Sequence, residues 1–484
     1  MRQSTHKKGF IMSYNCQVQT PDEFVLKMLD YIDYKHELYG KSVLENSCGK
    51  GNILIRIVER YIADAKSNEI PEALIIKGLE KDITGYEIDD SSICECKKKL
   101  DKVAERFGLF NVKWNILKYN YLKTSKEKYD YIIGNPPYIT YHDLTEVQRK
   151  LLKTKFSTCK EGRCDYYYAF VEKSINSLNE NGKLVYLIPF SIFRNKYAQA
   201  LRDYIKDTIT DVYDFTGIQL FSGVVISSTI ILCQAGIKRN SINYHKEING
   251  ELEVVKKDTL NDKWFFVQKT NKGERFGDFF SVHNGVATLL NEAFLICDYI
   301  EDNEYIYVGD MKIEKEILRP AVSTKTMKRK SVKKRDEKII FPYKLCSKGY
   351  IKYEEKEFEE KFPEAYKYLK SFYDKLNKRK SDEKAQWFEY GRSQAIAEIK
   401  GEKLIFPMVF TNKVKVYKCN SNAVPYAGYF LKKKDHSRYT LDDAKKILQS
   451  EKFYEYIKEH GTPTTATSYR MSTKEIENYL FEGI

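Results

Sequence analysis

The stretch YDYIIGNPPYITY, residues 129–141, runs from an apolar segment into an amide, two prolines and an aromatic ring. Asn135 offers a side-chain carbonyl oxygen as an acceptor. Pro136 and Pro137 restrict φ and donate no backbone N–H, so the loop is stiff and its carbonyls are free. A planar amino group on a heteroaromatic ring carries two N–H donors. The Asn135 side-chain oxygen and the Pro136 backbone oxygen could hold both and draw the nitrogen toward tetrahedral geometry. Its lone pair, otherwise delocalised into the ring, then becomes available for attack. Tyr138 could stack on that ring. The plain alternative is a capped turn.

A second constellation lies upstream. In VLENSCGKGNIL, residues 43–54, a short apolar run leads into Glu45, Ser47, Gly49 and Gly51, and a helical pattern follows. Glycines there allow close backbone approach to a ligand at the carboxyl edge of a strand, where open α/β sheets bind. No Gly-Lys-Ser/Thr follows, so this is not a phosphate-cradling loop, and the full GxGxxG pattern is missing. Taken alone, the glycines are as well explained by a structural turn. Glu87 ends the next strand-like run in GYEID. Its carboxylate could accept from both hydroxyls of a ribose. Together the two motifs point to an adenosine-type ligand.

These residues need a scaffold. Strand-like runs at Ser42–Leu44, Ile83–Ile88, Val112–Ile116, Tyr131–Ile133, Leu184–Ile188 and Val224–Leu232 alternate with helical patterns. One such helix carries Phe170, Val171, Ser174, Ile175 and Leu178 on one face, with Asn181-Gly182 as its stop. The alternation predicts an α/β fold, Rossmann-like, with a mostly parallel sheet covered on both faces. The rhythm is lost after about residue 240. SINYHKEINGELEVVKKDTLNDKWFF reads as a polar connector or a small hairpin. The expected organisation is a catalytic domain over 1–240, a connector over 241–275 and an α+β second domain over 276–484.

Lys plus Arg is 82 against 68 for Asp plus Glu, a formal net charge of +14 that suits a polyanionic partner. A solvated lysine-rich surface is the blander reading. There is no apolar run of about eighteen residues, so no membrane partner is expected. The N-terminus has no signal-peptide core. Ten cysteines without paired spacing read as reduced thiols, hence a cytoplasmic protein.

With these motifs in order, the chain resembles the gamma-class, TaqI-like DNA adenine-N6 methyltransferases of bacterial restriction-modification systems. The resemblance covers nearly the whole chain. It implies an S-adenosylmethionine-dependent methyltransferase domain followed by a target-recognition domain of the HincII- and PstI-like kind. TPDEFVLKML, with Thr20, matches the first cofactor motif, and VLENSCGKGNIL matches the cofactor loop, with Glu45 near the methionine part. Glu87 matches the ribose-binding acid. Asn120-Tyr121-Leu122 stands where the family usually has Asp-Phe-Leu beside the cofactor's adenine. Asn135, Pro136, Pro137 and Tyr138 match the catalytic motif, and Phe221 the position that stacks on the flipped base.

In the second half, HNGVATLLNEAFLI, WFEYGRSQAIAEIKGEKLIFP and TSYRMSTKEIENYLF resemble segments of the family's specificity domain. Arg392 and Gln394 are residue types that read base edges. Arg470 falls in the last of these segments. Lys328, Arg329 and Lys330 lie in a basic run suited to phosphates. The resemblance implies double-stranded DNA as the partner, a monomer, no metal, and a separate restriction endonuclease as an optional companion. No block of a few hundred residues precedes Thr20, so a fused nuclease is not expected. Rival readings are methylation of cytosine N4, methylation of a protein glutamine, and a non-catalytic DNA-binding specificity protein.

Overall fold

The computed structural model describes residues 19–125, 127–216, 218, 227–266, 273–328, 336–346, 349–465 and 467–483. The chain divides into two compact units: 1–268 with 462–466, and 269–461 with 467–484.

The first unit is built on a nine-stranded sheet. Its strands are β1 (Val43–Glu45), β2 (Ile83–Glu87), β3 (Asn115–Lys118), β4 (Tyr129–Gly134), β5 (Leu178–Pro189), β6 (Ile209–Asp214), β7 (Ser228–Gln234), β8 (Ser241–Lys246) and β9 (Glu251–Lys256). The spatial order is β3-β2-β1-β4-β5-β7-β6-β8-β9. Strands β3 to β5 run parallel across this order, and β7 enters antiparallel between β5 and β6. The order reverses between β1 and β4, so their carboxyl ends open a crevice at a topological switch point.

Among the described residues, seven α-helices cover the sheet: α1 (Asp22–Tyr31), α2 (Asn52–Ser67), α3 (Glu72–Asp82), α4 (Asp90–Arg106), α5 (Glu146–Lys155), α6 (Tyr166–Asn176) and α7 (Gln199–Ile205). Helix α2 forms because Ile53, Leu54, Ile57, Val58, Tyr61 and Ile62 recur on one face, and all are buried. The Asp89 side chain accepts from the Ser92 N–H and starts α4. Two cores result. Ile133, Val185 and Leu187 face the core containing α1 to α4, while Ile132, Leu184, Tyr186 and Ile188 face the other. Burial on both faces explains why β4 and β5 read as nearly continuous apolar runs.

Three expectations change. Helix α6 ends at Asn176, and Leu178 already pairs with Tyr129 in the sheet. Residues 179–182, with Asn181 at φ 62°, bulge out before Lys183 pairs with Tyr131. Helix α3 has no counterpart in the sequence reading. Of the two readings of SINYHKEINGELEVVKKDTLNDKWFF, connector or small hairpin, the hairpin forms: β8 and β9 extend the sheet from β6, so this stretch is not a separate connector. Only Val255 of β9 is fully buried, so this edge strand carries polar residues and hides its role in the sequence.

The second unit is α+β. Phe280–Asn284, Tyr429–Lys433, Lys403–Phe406 and Tyr417–Cys419 form one antiparallel sheet. Leu441–Gln449 and Glu451–His460 are helices whose apolar faces join its core. A second sheet contains Leu295–Ile296, Lys338–Ile340, Leu318–Ser323 and Val424–Ala427. No helix among the described residues is long and apolar enough to cross a membrane.

Candidate active site

The first loop leaves β1 at Glu45 and enters α2 at Asn52. Gly49 and Gly51 adopt φ of 49° and 83°, in the left-handed region that favours glycine. Gly51 has a second reason to be glycine: a Cβ there would lie 2.6 Å from the Cys96 sulfur. The loop is pinned by the Cys48 N–H, which donates to the Tyr86 carbonyl at 3.0 Å.

Glu87 ends β2 and is almost fully buried. Its Oε2 accepts from the Gly49 N–H at 2.9 Å, and its Oε1 accepts from the N–H groups of Ile88 and Asp89 at 2.7 and 3.0 Å. Three of roughly four acceptor sites are therefore occupied by the loops themselves. Glu87 shapes the first loop as well as facing the crevice.

Glu45 is buried, and its Oε2 takes no hydrogen bond from the described residues. Burial pushes its carboxyl well above the ordinary carboxylate range, and the neighbouring Cys96 and Glu87 add to this, opposed by the Leu54 N–H. A cationic donor would stabilise the charged form.

Asn135 follows the last residue of β4. Its Nδ2 donates to the Thr20 hydroxyl at 3.1 Å, and its backbone carbonyl accepts from the Ser47 hydroxyl at 3.2 Å. Its Oδ1 is buried and without a partner among the described residues. The amide is thus oriented with one of its two N–H donors on Thr20 and its acceptor without a partner among the described residues. Ile139 N–H donates to the Pro137 carbonyl at 3.1 Å, whereas no donor among the described residues reaches the Pro136 carbonyl. The Tyr138 hydroxyl donates to the Leu187 carbonyl at 2.7 Å, which fixes the ring against Tyr167 in an edge-on contact. Burial raises the Tyr138 phenol well above its ordinary range, so it stays neutral.

The structure therefore brings Thr20, Glu45, Ser47, Gly49, Glu87 and Asn135 to Tyr138 together at the carboxyl ends of β1, β2 and β4. Asn120 and Tyr121 follow β3. The Asn120 Oδ1 accepts from the Leu122 N–H at 3.0 Å and caps a short turn, while its Nδ2 donates to the Tyr166 hydroxyl. Tyr121 is a core residue at 3% exposure, its ring packed near Phe170 and Tyr86 and its hydroxyl against Ser174. Phe221 lies outside the described residues.

In the second unit, Arg392 is half-buried and its Nη1 meets the Asp382 carboxylate at 3.1 Å. Gln394 is exposed and its Nε2 donates to the Gly285 carbonyl at 3.2 Å. This loop is held firmly: the Arg379 guanidinium donates to the carbonyls of Trp387 and Glu389, and Phe388 stacks on Phe358 at 4.8 Å. Arg470 is exposed at the end of the strand Ser468–Arg470, and Lys328 is exposed at the end of the helix Thr324–Lys328. Arg329 and Lys330 lie outside the described residues.

Residues 36–221 match the family model of the Eco57I restriction-modification methylase. The chain is 23% identical over 346 residues to the type II restriction enzyme and methyltransferase RM.Eco57I of Escherichia coli, covering 62% of this chain and 34% of that protein. It is 34% identical over 122 residues to the type II methyltransferase M.HincII of Haemophilus influenzae, covering 24% of each. The chain thus spans about a third or less of these relatives' lengths. Among solved structures, the type IIL restriction-modification enzyme MmeI in complex with DNA aligns with a TM-score of 0.55 at 14% identity, over 94% of this chain and 64% of that one. The first unit has the Rossmann-like methyltransferase fold.

Sequence reasoning gave no role to Asn46, Ser174 and Tyr186, three polar side chains joined to one another beside the strand that leads into the Asn135–Tyr138 loop. The available signal was Ser174 on the otherwise apolar face of α6.

Proposed function

We propose that this chain is a DNA methyltransferase that moves a methyl group from S-adenosylmethionine to the exocyclic N6 amine of an adenine turned out of the duplex. The observation that carries the reading is Asn135: a half-buried carboxamide that donates one N–H to Thr20 and whose buried Oδ1 has no partner among the described residues. Such a group is prepared for an N–H donor that must come from outside the protein.

The cofactor would be held by this chain's own orphans and loops. Glu45 Oε2 suits the cationic ammonium of the methionine part, and the remaining acceptor capacity of Glu87 suits a ribose hydroxyl. Gly49, and Asn120 beside its capped turn, complete the expected contact set. When bound, S-adenosylmethionine supplies an electrophilic methyl group. Asn135 Oδ1 and the Pro136 carbonyl then accept the two N–H bonds of the target amine and localise its lone pair. Tyr138 supplies a stacking face, and Phe221 is assigned a second one. These groups act by position, and the proton leaves to solvent after transfer.

A base inside a duplex cannot reach such a pocket, so the target nucleotide must leave the stack. Double-stranded DNA is the proposed partner of the second unit. Arg392 and Gln394 are assigned to base edges, and Lys328, Arg329, Lys330 and Arg470 to the backbone. RM.Eco57I is named as both a restriction enzyme and a methyltransferase, and this chain corresponds to part of it. An endonuclease acting with this chain is proposed on that ground.

The test is transfer of labelled methyl to unmethylated DNA, followed by nucleoside mass spectrometry. N6-methyladenine is the expected product. N4-methylcytosine, or label found in protein, would replace the adenine assignment.

A further inference from the structure

The residue after Glu45 is Asn46, and its neighbourhood follows from register. Val43 pairs with Tyr131 and Leu44 with Ile132, so two steps further Asn46 stands beside Gly134. Gly134 in turn pairs with Tyr186. Asn46, Gly134 and Tyr186 therefore form one row across β1, β4 and β5 at the carboxyl edge of the sheet. Side chains in one row of a parallel sheet share a face.

The middle member of that row has no side chain. A Cβ on Gly134 would lie 3.2 Å from the Tyr186 ring and 3.4 Å from Asn46 Oδ1. The gap lets the Asn46 amide reach over β4. Its Nδ2 donates to the Tyr186 hydroxyl and, at 2.9 Å, to the Ser174 hydroxyl of α6. Ser174 and Tyr186 bond each other at 2.7 Å, and the Tyr121 hydroxyl joins Ser174 at 3.2 Å. Asn46 is 3% exposed, and its Oδ1, the atom facing Gly134, has no partner among the described residues.

We propose that Asn46 is a positioning residue for methyl transfer. Its amide bridges β1 to β5 over Gly134 and so fixes the depth of Asn135 relative to the first loop. This rests on the methyltransferase reading above. Glu45 and Asn135 each adjoin a member of the row, so the bridge sets the spacing between the cofactor-side carboxylate and the target-side amide. A fully apolar core would hold the strands together as well, but it would not fix the row to hydrogen-bond tolerance.

The test uses the full chain and the variants Asn46→Ala, Tyr186→Phe and their combination, with Gly134→Ala as a steric counterpart. Methyl transfer gives kcat and KM for DNA, calorimetry gives S-adenosylmethionine affinity, and thermal melting reports folding. Each single variant is expected to lower kcat by roughly ten- to a hundredfold. Cofactor affinity and KM should hold within about threefold, and the double variant should lose no more than the worse single one. Tyr186→Phe keeps the ring and the packing, so it remains informative if Asn46→Ala folds poorly. Unchanged kcat in folded variants, or a loss that appears wholly as weaker cofactor binding, overturns the proposal. No transfer by the wild-type chain to any DNA would instead sink the parent reading, and this one with it.

Discussion

The carboxamide nitrogen of Asn135 donates to the hydroxyl of Thr20 at 3.1 Å, across more than a hundred residues of chain. This contact decides which end of the amide faces the crevice. Thr20 is buried, so its hydroxyl is shielded from bulk water on its side of the bond.

The first prediction concerns that pair. Asn135→Ala should abolish methyl transfer while leaving S-adenosylmethionine affinity nearly unchanged. Thr20→Val keeps the shape and removes the acceptor, leaving the amide nitrogen unpaired at a cost of about 1–3 kcal/mol. It should therefore lower kcat without removing activity. Turnover of Asn135→Ala at the wild-type rate would end the assignment of this residue.

Glu87 separates two roles. Its carboxylate accepts from the N–H groups of Gly49, Ile88 and Asp89. Glu87→Ala should lower both thermal stability and cofactor affinity, because each abandoned buried donor costs about 1–3 kcal/mol. Glu87→Gln keeps one acceptor oxygen and should melt closer to the wild type while still binding the cofactor more weakly. Melting curves with and without S-adenosylmethionine distinguish the variants. Unchanged affinity in both would place the ribose contact on another residue.

Glu45 gives a pH signature. Burial raises its folded pKa above the unfolded value, so the neutral form is favoured in the folded protein. The stabilisation is complete below the ordinary carboxylate range and is lost as pH rises through the raised folded value. Glu45→Gln should flatten that dependence and raise the melting temperature of the free protein at neutral pH. The same change removes a charged acceptor and should weaken S-adenosylmethionine binding by about 1.5–3 kcal/mol. A variant that binds the cofactor as tightly as the wild type would free Glu45 from this role.

Arg392 should behave as a reader. Its Nη1 is held by Asp382, which orients the guanidinium. Arg392→Ala should cost about 1–3 kcal/mol on the cognate duplex and little on a scrambled one. Charge removal at Lys328 should weaken both alike and flatten the salt dependence. Equal losses on both duplexes for Arg392→Ala would make it a backbone contact.

What was legible in the sequence divides along physical lines. The glycine turn, the strand ends and the Asn-Pro-Pro-Tyr loop are local patterns, and the structure forms them where the residues stand. The β8–β9 hairpin was legible as one of two alternatives, but its attachment to the sheet was not, because a half-exposed edge strand carries polar residues on its open face. The Thr20–Asn135 bond joins distant segments and has no local signature. Asn120 is different, since an Asn two residues before a capped N–H is a local turn pattern that residue types alone could have suggested. Tyr121 is buried in the core, and an aromatic residue after a strand fits a ligand face and a core equally well.

The chain path has a practical consequence for engineering. Residues 462–466 belong with the first unit, although they follow most of the second one in sequence. Exchange of the second unit between relatives, as a test of whether it carries recognition, therefore needs three junctions, near residues 268, 461 and 466. A graft cut once near residue 268 would replace 462–466, which group with the first unit, along with the second. Chimaeras that keep 462–466 from the same parent as 1–268 should fold more readily than single-junction ones.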